Sequence, residues 1–130
     1  MNTIKTTLIA ILFPISSFAQ YKYKVTRCNS HVYIRNEWKQ FQENYPTKMF
    51  LTIDGSSFKI NNEDHSVYTL YGEVKKEDYT NRTTYTWDAY DKDHQDCIAV
   101  LTQGISDSST FSFTVFYEKE CFNWELTDIN

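Results

Sequence analysis

Short segments in which apolar and polar residues alternate recur along most of the chain, and they limit the fold more than any other feature. In "FSFTVFY", Phe111, Phe113 and Val115 fall on one side, and Ser112 and Thr114 fall on the other. Alternation with a period of two is typical of a β-strand with one face in the core and one in solvent. The sequence therefore predicts an all-β protein.

The connections between these segments are short and rich in turn-forming residues. Asp54-Gly55 separates two of them, and polar stretches at 61–65 and 75–82 separate others. None reaches the dozen or so residues that a parallel crossover needs. We therefore predict seven to nine mostly antiparallel strands. Because such a sheet must protect its edges, it is expected to form either a small barrel or a two-layer sandwich.

Residues 34–45 are ambiguous, because Ile34, Trp38, Phe41 and Tyr45 recur at the spacing of a helical stripe. The alternatives are a helix and an extended strand with a bend. We favour the strand, because the segment is short, has no clear N-cap and lies between other strands.

The N-terminus has the features of a signal peptide. Lys5 precedes an apolar run at 8–14, and the small residues Ser17 and Ala19 suit cleavage after Ala19. The run is shorter than the roughly 20 apolar residues of a membrane-spanning helix. We predict that residues 1–19 are removed and that residues 20–130 form a single β domain, either periplasmic or extracellular, with no membrane span.

Charge and composition limit the classes of partner. The chain has 13 basic and 17 acidic residues and a net charge of −4. An acidic domain without a basic run is a poor nucleic-acid binder, because neutralisation of phosphates supplies most of that affinity. We therefore predict no nucleic-acid partner. Aromatic residues make up 17% of the chain, and we expect most of them to fill the core of a small β domain.

Three cysteines follow the predicted cleavage site: Cys28, Cys97 and Cys121. An odd number leaves at least one thiol without a partner in the chain. Cys97 and Cys121 fall on predicted strands that are two apart, which is too far for a disulfide in a flat sheet. A bond from Cys28 to either of them and three free thiols both remain open.

The stretch "DAYDKDHQDC" concentrates groups that bind metals or catalyse reactions. Its four carboxylates are Asp88, Asp91, Asp93 and Asp96. A calcium loop would need a glycine for its sharp turn and a bidentate glutamate downstream, and neither follows. His94 and Cys97 are three residues apart, which places them on opposite faces of a strand. We interpret the stretch as a polar hairpin tip and predict no metal and no cofactor.

Runs spread over most of the predicted mature chain carry a resemblance. They are "NEW", "LTIDGSSFKI", "YTLYG", "DAYDKDHQDC" and "FSFTVFY". Together they resemble small exported bacterial all-β proteins with no assigned function. The resemblance implies a β fold and implies nothing about activity.

No nucleophile elbow and no phosphate-binding loop is visible in the sequence. We therefore predict a non-enzymatic binding or interaction module for an unknown protein, glycan or small apolar ligand. Trp38, Phe41 and Tyr45 are the candidate ligand-binding residues, although ordinary core packing is the role that we favour for them. The alternative functions are a structural component of the envelope or matrix and a small hydrolase or enzyme inhibitor.

Overall fold

The computed structural model describes residues 20–104 and 111–129. The predicted signal peptide lies outside this part of the chain, and so does the serine-rich stretch at 106–109, whose composition predicts a turn. The described residues contain nine β-strands and no helix. The strands are β1 (Gln20–Ile34), β2 (Glu37–Asn44), β3 (Phe50–Asp54), β4 (Ser57–Ile60), β5 (Ser66–Asp78), β6 (Arg82–Asp91), β7 (Asp96–Gly104), β8 (Ser112–Phe116) and β9 (Glu120–Asp128).

Eight of these strands close into an antiparallel barrel, and β2 lies outside it. From β3 to β9 each strand pairs with the next in the sequence, and β9 pairs with β1 to close the ring. The long strand β1 completes the ring because it pairs with β3 on one edge and with β9 on the other. Farther along the chain, the edge that pairs with β3 pairs with β2, which therefore lies outside the ring. Residues 20–24 of β1 face β3 and its residues 28–34 face β2. The predicted all-β fold is confirmed, and of the two predicted architectures the protein adopts the barrel.

The middle of the barrel is a packed aromatic core. Phe113 is fully buried between Phe58 and Trp124, with ring centroids 4.5 and 5.8 Å away. Tyr85 and Trp87 on β6 are also buried. An eight-stranded barrel has an interior just wide enough for side chains to fill. The alternating residues of "FSFTVFY" are therefore inward and outward as predicted, and the centre holds side chains rather than an open channel.

The two ends of the barrel differ. One end carries the connections that follow β2, β4, β6 and β8, which are residues 45–49, 61–65, 92–95 and 117–119. We call this end the barrel mouth. The opposite end carries the β3–β4 turn and the β5–β6 connection. Chain segments that are far apart in the sequence therefore meet at the mouth.

Residues 34–45 are not helical, and the helical alternative is wrong. From Glu37 they form β2, which is paired with β1, and Phe41 is the extra residue of a β-bulge in that pairing. The bulge explains the misleading spacing, because one inserted residue shifts a period-two pattern toward a helical one. Arg27 holds β2 in place through ion pairs with Glu43 on β2 and Glu125 on β9.

The three cysteines are free thiols in the described structure. Cys97 on β7 and Cys121 on β9 are separated by β8, as predicted from the sequence. Both are buried, whereas Cys28 on β1 is half-buried. Of the two possibilities left open by the sequence, the structure shows free thiols rather than a disulfide from Cys28.

Candidate functional site

Two adjoining cavities open at the barrel mouth, with volumes of about 510 and 360 Å³. We call them the first and the second cavity, and together they form the mouth site. Four residues line both of them: Asn62, Asp64, Phe122 and Trp124. Because these walls are shared, one ligand can occupy both cavities.

Aromatic rings form the inner wall of the first cavity. Phe122 and Trp124 alternate inward along β9, and their ring centroids lie 6.3 Å apart. Tyr68 from β5 packs 5.9 Å from Trp124, and Tyr117 packs edge-on against Phe122 at 6.1 Å. Tyr68 and Trp124 are almost fully buried, whereas Tyr117 and Phe122 are half-buried. The wall therefore continues the sealed core through Tyr68 and Trp124, and Tyr117 and Phe122 offer ring surface to a ligand.

The hairpin tip between β6 and β7 forms one side of the first cavity, and Asp91 shapes it. Asp91 Oδ1 accepts hydrogen bonds from the backbone N–H groups of Asp93 and Gln95, both at 2.9 Å. The Tyr117 hydroxyl donates to Asp91 Oδ2 at 2.7 Å. His94 adopts the left-handed conformation that this tight turn requires, with φ of 62°. The acidic stretch is thus a hairpin tip, as predicted.

The pKa values around Asp91 follow from these contacts. Burial raises the pKa of Asp91, but hydrogen bonds from Gln95, Tyr117 and Asp93 lower it by more, so the pKa of Asp91 lies below its usual value. Burial raises the pKa of Tyr68 to about 12. Burial and the hydrogen bond to Asp91 raise that of Tyr117 as well. Near neutral pH the site therefore pairs a carboxylate with two protonated phenols.

The Cys97 thiol lies beside the same network and is hydrogen-bonded to Tyr117. Burial raises the pKa of Cys97 to about 11, with a further rise from the nearby Asp91 carboxylate. The thiolate is the nucleophilic form of cysteine. Cys97 is therefore a protonated, buried thiol near neutral pH and is poorly suited to nucleophilic attack.

Carboxylates line the rim of the mouth site. Besides Asp91 they are Glu63, Asp64, Asp93 and Glu120, against the single ammonium of Lys92. The Lys92 ammonium donates a hydrogen bond to the backbone carbonyl oxygen of Asp64. Within the described residues none of the four rim carboxylates forms an ion pair. The rim is thus strongly acidic and solvated.

The acidic stretch does not gather its four aspartates at one point. Asp88 and Asp96 line a separate shallow cavity, where the Tyr71 hydroxyl donates to Asp96 at 3.4 Å. In the part of the chain that the structure describes, no three His, Cys, Asp or Glu side chains are placed to hold a metal ion. The calcium alternative therefore finds no support in this geometry.

Polar residues from β1 and β2 form the wall of the second cavity. Ser30 lies opposite Phe122 on β9 and opposite Gln42 on β2, and all three line this cavity. Their shared register places them on the same face of the sheet. On the same wall, the Cys28 thiol donates to Asn44 Oδ1 at 2.8 Å.

The Ser30 hydroxyl is an unusual feature of the second cavity. Ser30 is only 9% exposed, and its Oγ has no hydrogen-bond partner among the described residues. Leaving a buried polar group unpaired costs about 1–3 kcal/mol. The neighbouring Asn29 Oδ1 is also buried and unpaired, and Asn29 also lines the second cavity, although it lies opposite Asn123 and Glu43 on the other face of β1. Of these two residues, Ser30 shares its face of the sheet with Phe122 and Gln42.

The candidate ligand-binding residues predicted from the sequence lie elsewhere. Trp38 packs against Tyr33 at 5.2 Å and Phe116 at 6.1 Å, on the outer side of the barrel. Trp38, Phe41 and Tyr45 are 41%, 67% and 66% exposed, so the favoured prediction that they pack in the core is wrong. None of the three lines either mouth cavity. Their role in ligand binding stays a prediction.

The sequence identified several mouth residues without assigning them to a site. Phe122 and Trp124 alternate with polar residues in a segment that is typical of a strand, but this pattern does not distinguish a residue at the open end of a barrel from one in its centre. Asn62 falls in a predicted polar turn, where its Oδ1 accepts a hydrogen bond from the Ser66 N–H at 3.0 Å. Phe122 and Trp124 on β9 line the same cavities as Asn62, although they come from the other end of the chain.

Fold and site define the protein as an eight-stranded antiparallel barrel with one added strand and an open, acidic, aromatic-lined mouth. No protein-family model matches the chain, and searches of curated proteins and of solved structures find nothing similar. No helix long and apolar enough to cross a membrane occurs in residues 20–104 and 111–129.

Proposed function

We propose that the protein is an exported, non-enzymatic binding module that holds a small carbohydrate in the barrel mouth. The proposal rests on the chemistry of the walls. A sugar ring has apolar C–H faces and a hydroxyl-bearing edge. The mouth site combines half-buried rings with amide, hydroxyl and carboxylate groups on the surrounding strands and loops.

The size of the site supports this proposal. Each cavity falls within the roughly 300–1,000 Å³ of typical small-molecule pockets. Two such cavities with a shared wall suit a ligand built of two linked units. A disaccharide has this form.

A small apolar ligand fits the structure less well. The interior, where a barrel would hold such a ligand, is filled by Phe58, Trp87 and Phe113. The remaining space lies at a mouth whose rim is charged. Moving apolar surface into a wet, acidic rim gains little from the hydrophobic effect.

The Ser30 hydroxyl is the observation that carries the proposal. A buried polar group without a partner is rare in folded proteins and calls for a physical reason. A ligand hydroxyl in the second cavity would provide the missing hydrogen bond. The free-energy cost of the unpaired Ser30 hydroxyl is then offset only when the ligand is bound.

Substitution of Ser30 separates this role from a structural one. In Ser30→Ala the unpaired group is removed, so the melting temperature should stay the same or rise. Binding of a disaccharide should weaken about fivefold, which corresponds to the loss of about 1 kcal/mol for one hydrogen bond. Ser112→Ala on β8, at the opposite end of the barrel, is the matched control and should leave binding unchanged.

The assay is a titration of the ¹⁵N-labelled protein followed by amide chemical shifts. The ligands are cellobiose, the β-1,4-linked glucosamine disaccharide and its N-acetylated form, each up to about 10 mM, which detects millimolar affinities. Supporting shifts cluster at residues 62–64, 92–95 and 120–124. The proposal fails if none of the three sugars moves these amides, or if Ser30→Ala binds as the unaltered protein does.

A further inference from the structure

We infer that the ligand of the mouth site carries a protonated amine, so that the preferred carbohydrate is an amino sugar with a free amino group. This inference rests on the proposed function and narrows it to one class of ligand. It draws on the charges of the rim, the position of the one lysine and the rings of the inner wall.

The charge balance of the mouth site is strongly negative. The residues that line it include five carboxylates and one ammonium, a net charge of −4 at neutral pH. This equals the net charge of the whole sequence, although the site is a small part of the surface. A cleft lined by charges of one sign concentrates ligands of the opposite sign. The site therefore favours cations and repels acidic sugars.

The carboxylates differ in their availability. Both oxygens of Asp91 already accept hydrogen bonds from the hairpin tip and Tyr117. Glu63, Asp93 and Glu120 are exposed and form no ion pair within the described residues. These three are therefore free to bind an ammonium group, whereas Asp91 keeps the hairpin tip and Tyr117 in position.

Lys92 does not neutralise the rim. Its ammonium donates to the backbone carbonyl of Asp64 and so is directed to the β4–β5 connection. This contact links the first cavity's hairpin tip to the loop shared by both cavities. A positive charge from the ligand would meet carboxylates that have no intramolecular cation.

The inner wall adds a second attraction for a cation. Phe122 and Trp124 line both cavities, and Tyr68 and Tyr117 line the first. The faces of aromatic rings attract ammonium groups, and the attraction is stronger when water is excluded. Aromatic faces beside free carboxylates suit an amine better than a neutral hydroxyl.

The buried Ser30 hydroxyl is independent of the acidic rim and points to the same site. Ser30 lines the second cavity, and its buried hydroxyl has no hydrogen-bond partner among the described residues, so a ligand hydroxyl that reaches it would supply one. A sugar with both hydroxyl and amino groups satisfies Ser30 and the rim together. A simple alkylamine would satisfy the rim alone.

Isothermal titration calorimetry with three disaccharides at pH 6 tests the inference. The probes are the β-1,4-linked glucosamine disaccharide, its N-acetylated form and cellobiose, which differ at the same ring position in having an ammonium, an amide or a hydroxyl. The free amine should bind at least about tenfold more tightly than the other two. Raising sodium chloride from about 25 to 300 mM should reduce that difference by screening.

A pair of matched variants locates the charge effect. Glu120→Gln removes one rim carboxylate and should weaken binding of the amine about threefold to fivefold, with cellobiose binding unchanged. Glu77→Gln makes the same chemical change on an exposed position of β5 toward the other end of the barrel and should change neither. Equal circular dichroism spectra and melting temperatures establish that both variants are folded.

The outcomes separate this inference from the proposed function. Preference for the free amine that Glu120→Gln reduces supports both. Equal binding of all three sugars, or tighter binding of the acetylated form or cellobiose, overturns the amine inference and leaves the carbohydrate proposal standing. Absence of binding by all three overturns both.

Discussion

The hydrogen bond between Tyr117 and Asp91 joins two parts of the mouth site, the hairpin tip and the β8–β9 connection. The effect of its removal on the free energy of unfolding can be calculated. Tyr117→Phe deletes the hydroxyl that donates to Asp91 Oδ2 at 2.7 Å and leaves the ring in place. The same hydroxyl is hydrogen-bonded to Tyr68 and Cys97. The substitution therefore loosens the tie between the hairpin tip and the start of the β8–β9 connection.

The expected magnitude follows from the geometry. A hydrogen bond to a charged group contributes about 1.5–3 kcal/mol, and exposure to water lowers this. Because Tyr117 and Asp91 are half-buried, we expect Tyr117→Phe to reduce the free energy of unfolding by about 1–2 kcal/mol. For a domain of this size that corresponds to a fall in melting temperature of roughly 4–8 °C.

A double-mutant cycle in urea measures the interaction itself. Tyr117→Phe, Asp91→Asn and the double variant should show a coupling energy of about 1 kcal/mol at pH 7. The pKa of Asp91 is lower in the folded protein than its usual value of 3.8. The ionised carboxylate thus contributes stability above pH 4, and this stability is lost as the pH falls through the lower, folded pKa. The coupling should decrease over that acidic range.

Two results would refute this reasoning. Additive effects of the two substitutions at pH 7 would show that the hydroxyl and the carboxylate do not interact. A coupling that persists unchanged once the Asp91 carboxyl is protonated would show that the interaction does not depend on the ionised form of Asp91.

Three further predictions concern the core, the thiols and the outer strand. Phe113→Ala should lower the free energy of unfolding by about 3–5 kcal/mol in urea titration, since the ring is fully buried; a loss below 1 kcal/mol would contradict the packed interior. In the native protein a thiol reagent should label Cys28 alone, with Cys97 and Cys121 labelled only in denaturant, and a ligand in the second cavity should slow the labelling of Cys28. Phe41→Ser should change the melting temperature by no more than about 2–3 °C, because the side chain is largely exposed; a larger fall would show that it packs against the barrel.

Strand positions and inward faces could be predicted from the sequence because they depend on local alternation. Tyr68 and Leu70 on β5, and Trp124 and Leu126 on β9, are buried as their patterns indicate. Closure into a barrel was not decided by these patterns. It depends on β1, which pairs with β3 along one edge and with β9 along the other and carries a bulge after Val25.

The mouth site could be predicted only in part. The acidic hairpin tip was visible as a turn, since aspartates and an unbroken polar run are local signals. The site as a whole joins residues 62–64, 92–95 and 120–124, and nothing in their spacing shows that they meet. The exposed aromatics of β2 gave a stronger local signal, yet they lie outside the cavities because a bulge and an added strand place them there.

The central claim is that the ligand lies in the barrel mouth, and intermolecular nuclear Overhauser effects test it most directly. The measurement uses the glucosamine disaccharide bound to the ¹³C-labelled protein. Contacts from the sugar's C–H protons to the ring protons of Phe122 and Tyr117 are the result that we predict. Contacts instead to Trp38, Phe41 and Tyr45 would contradict it and would place binding on β2 and the residue that follows it, outside the two mouth cavities.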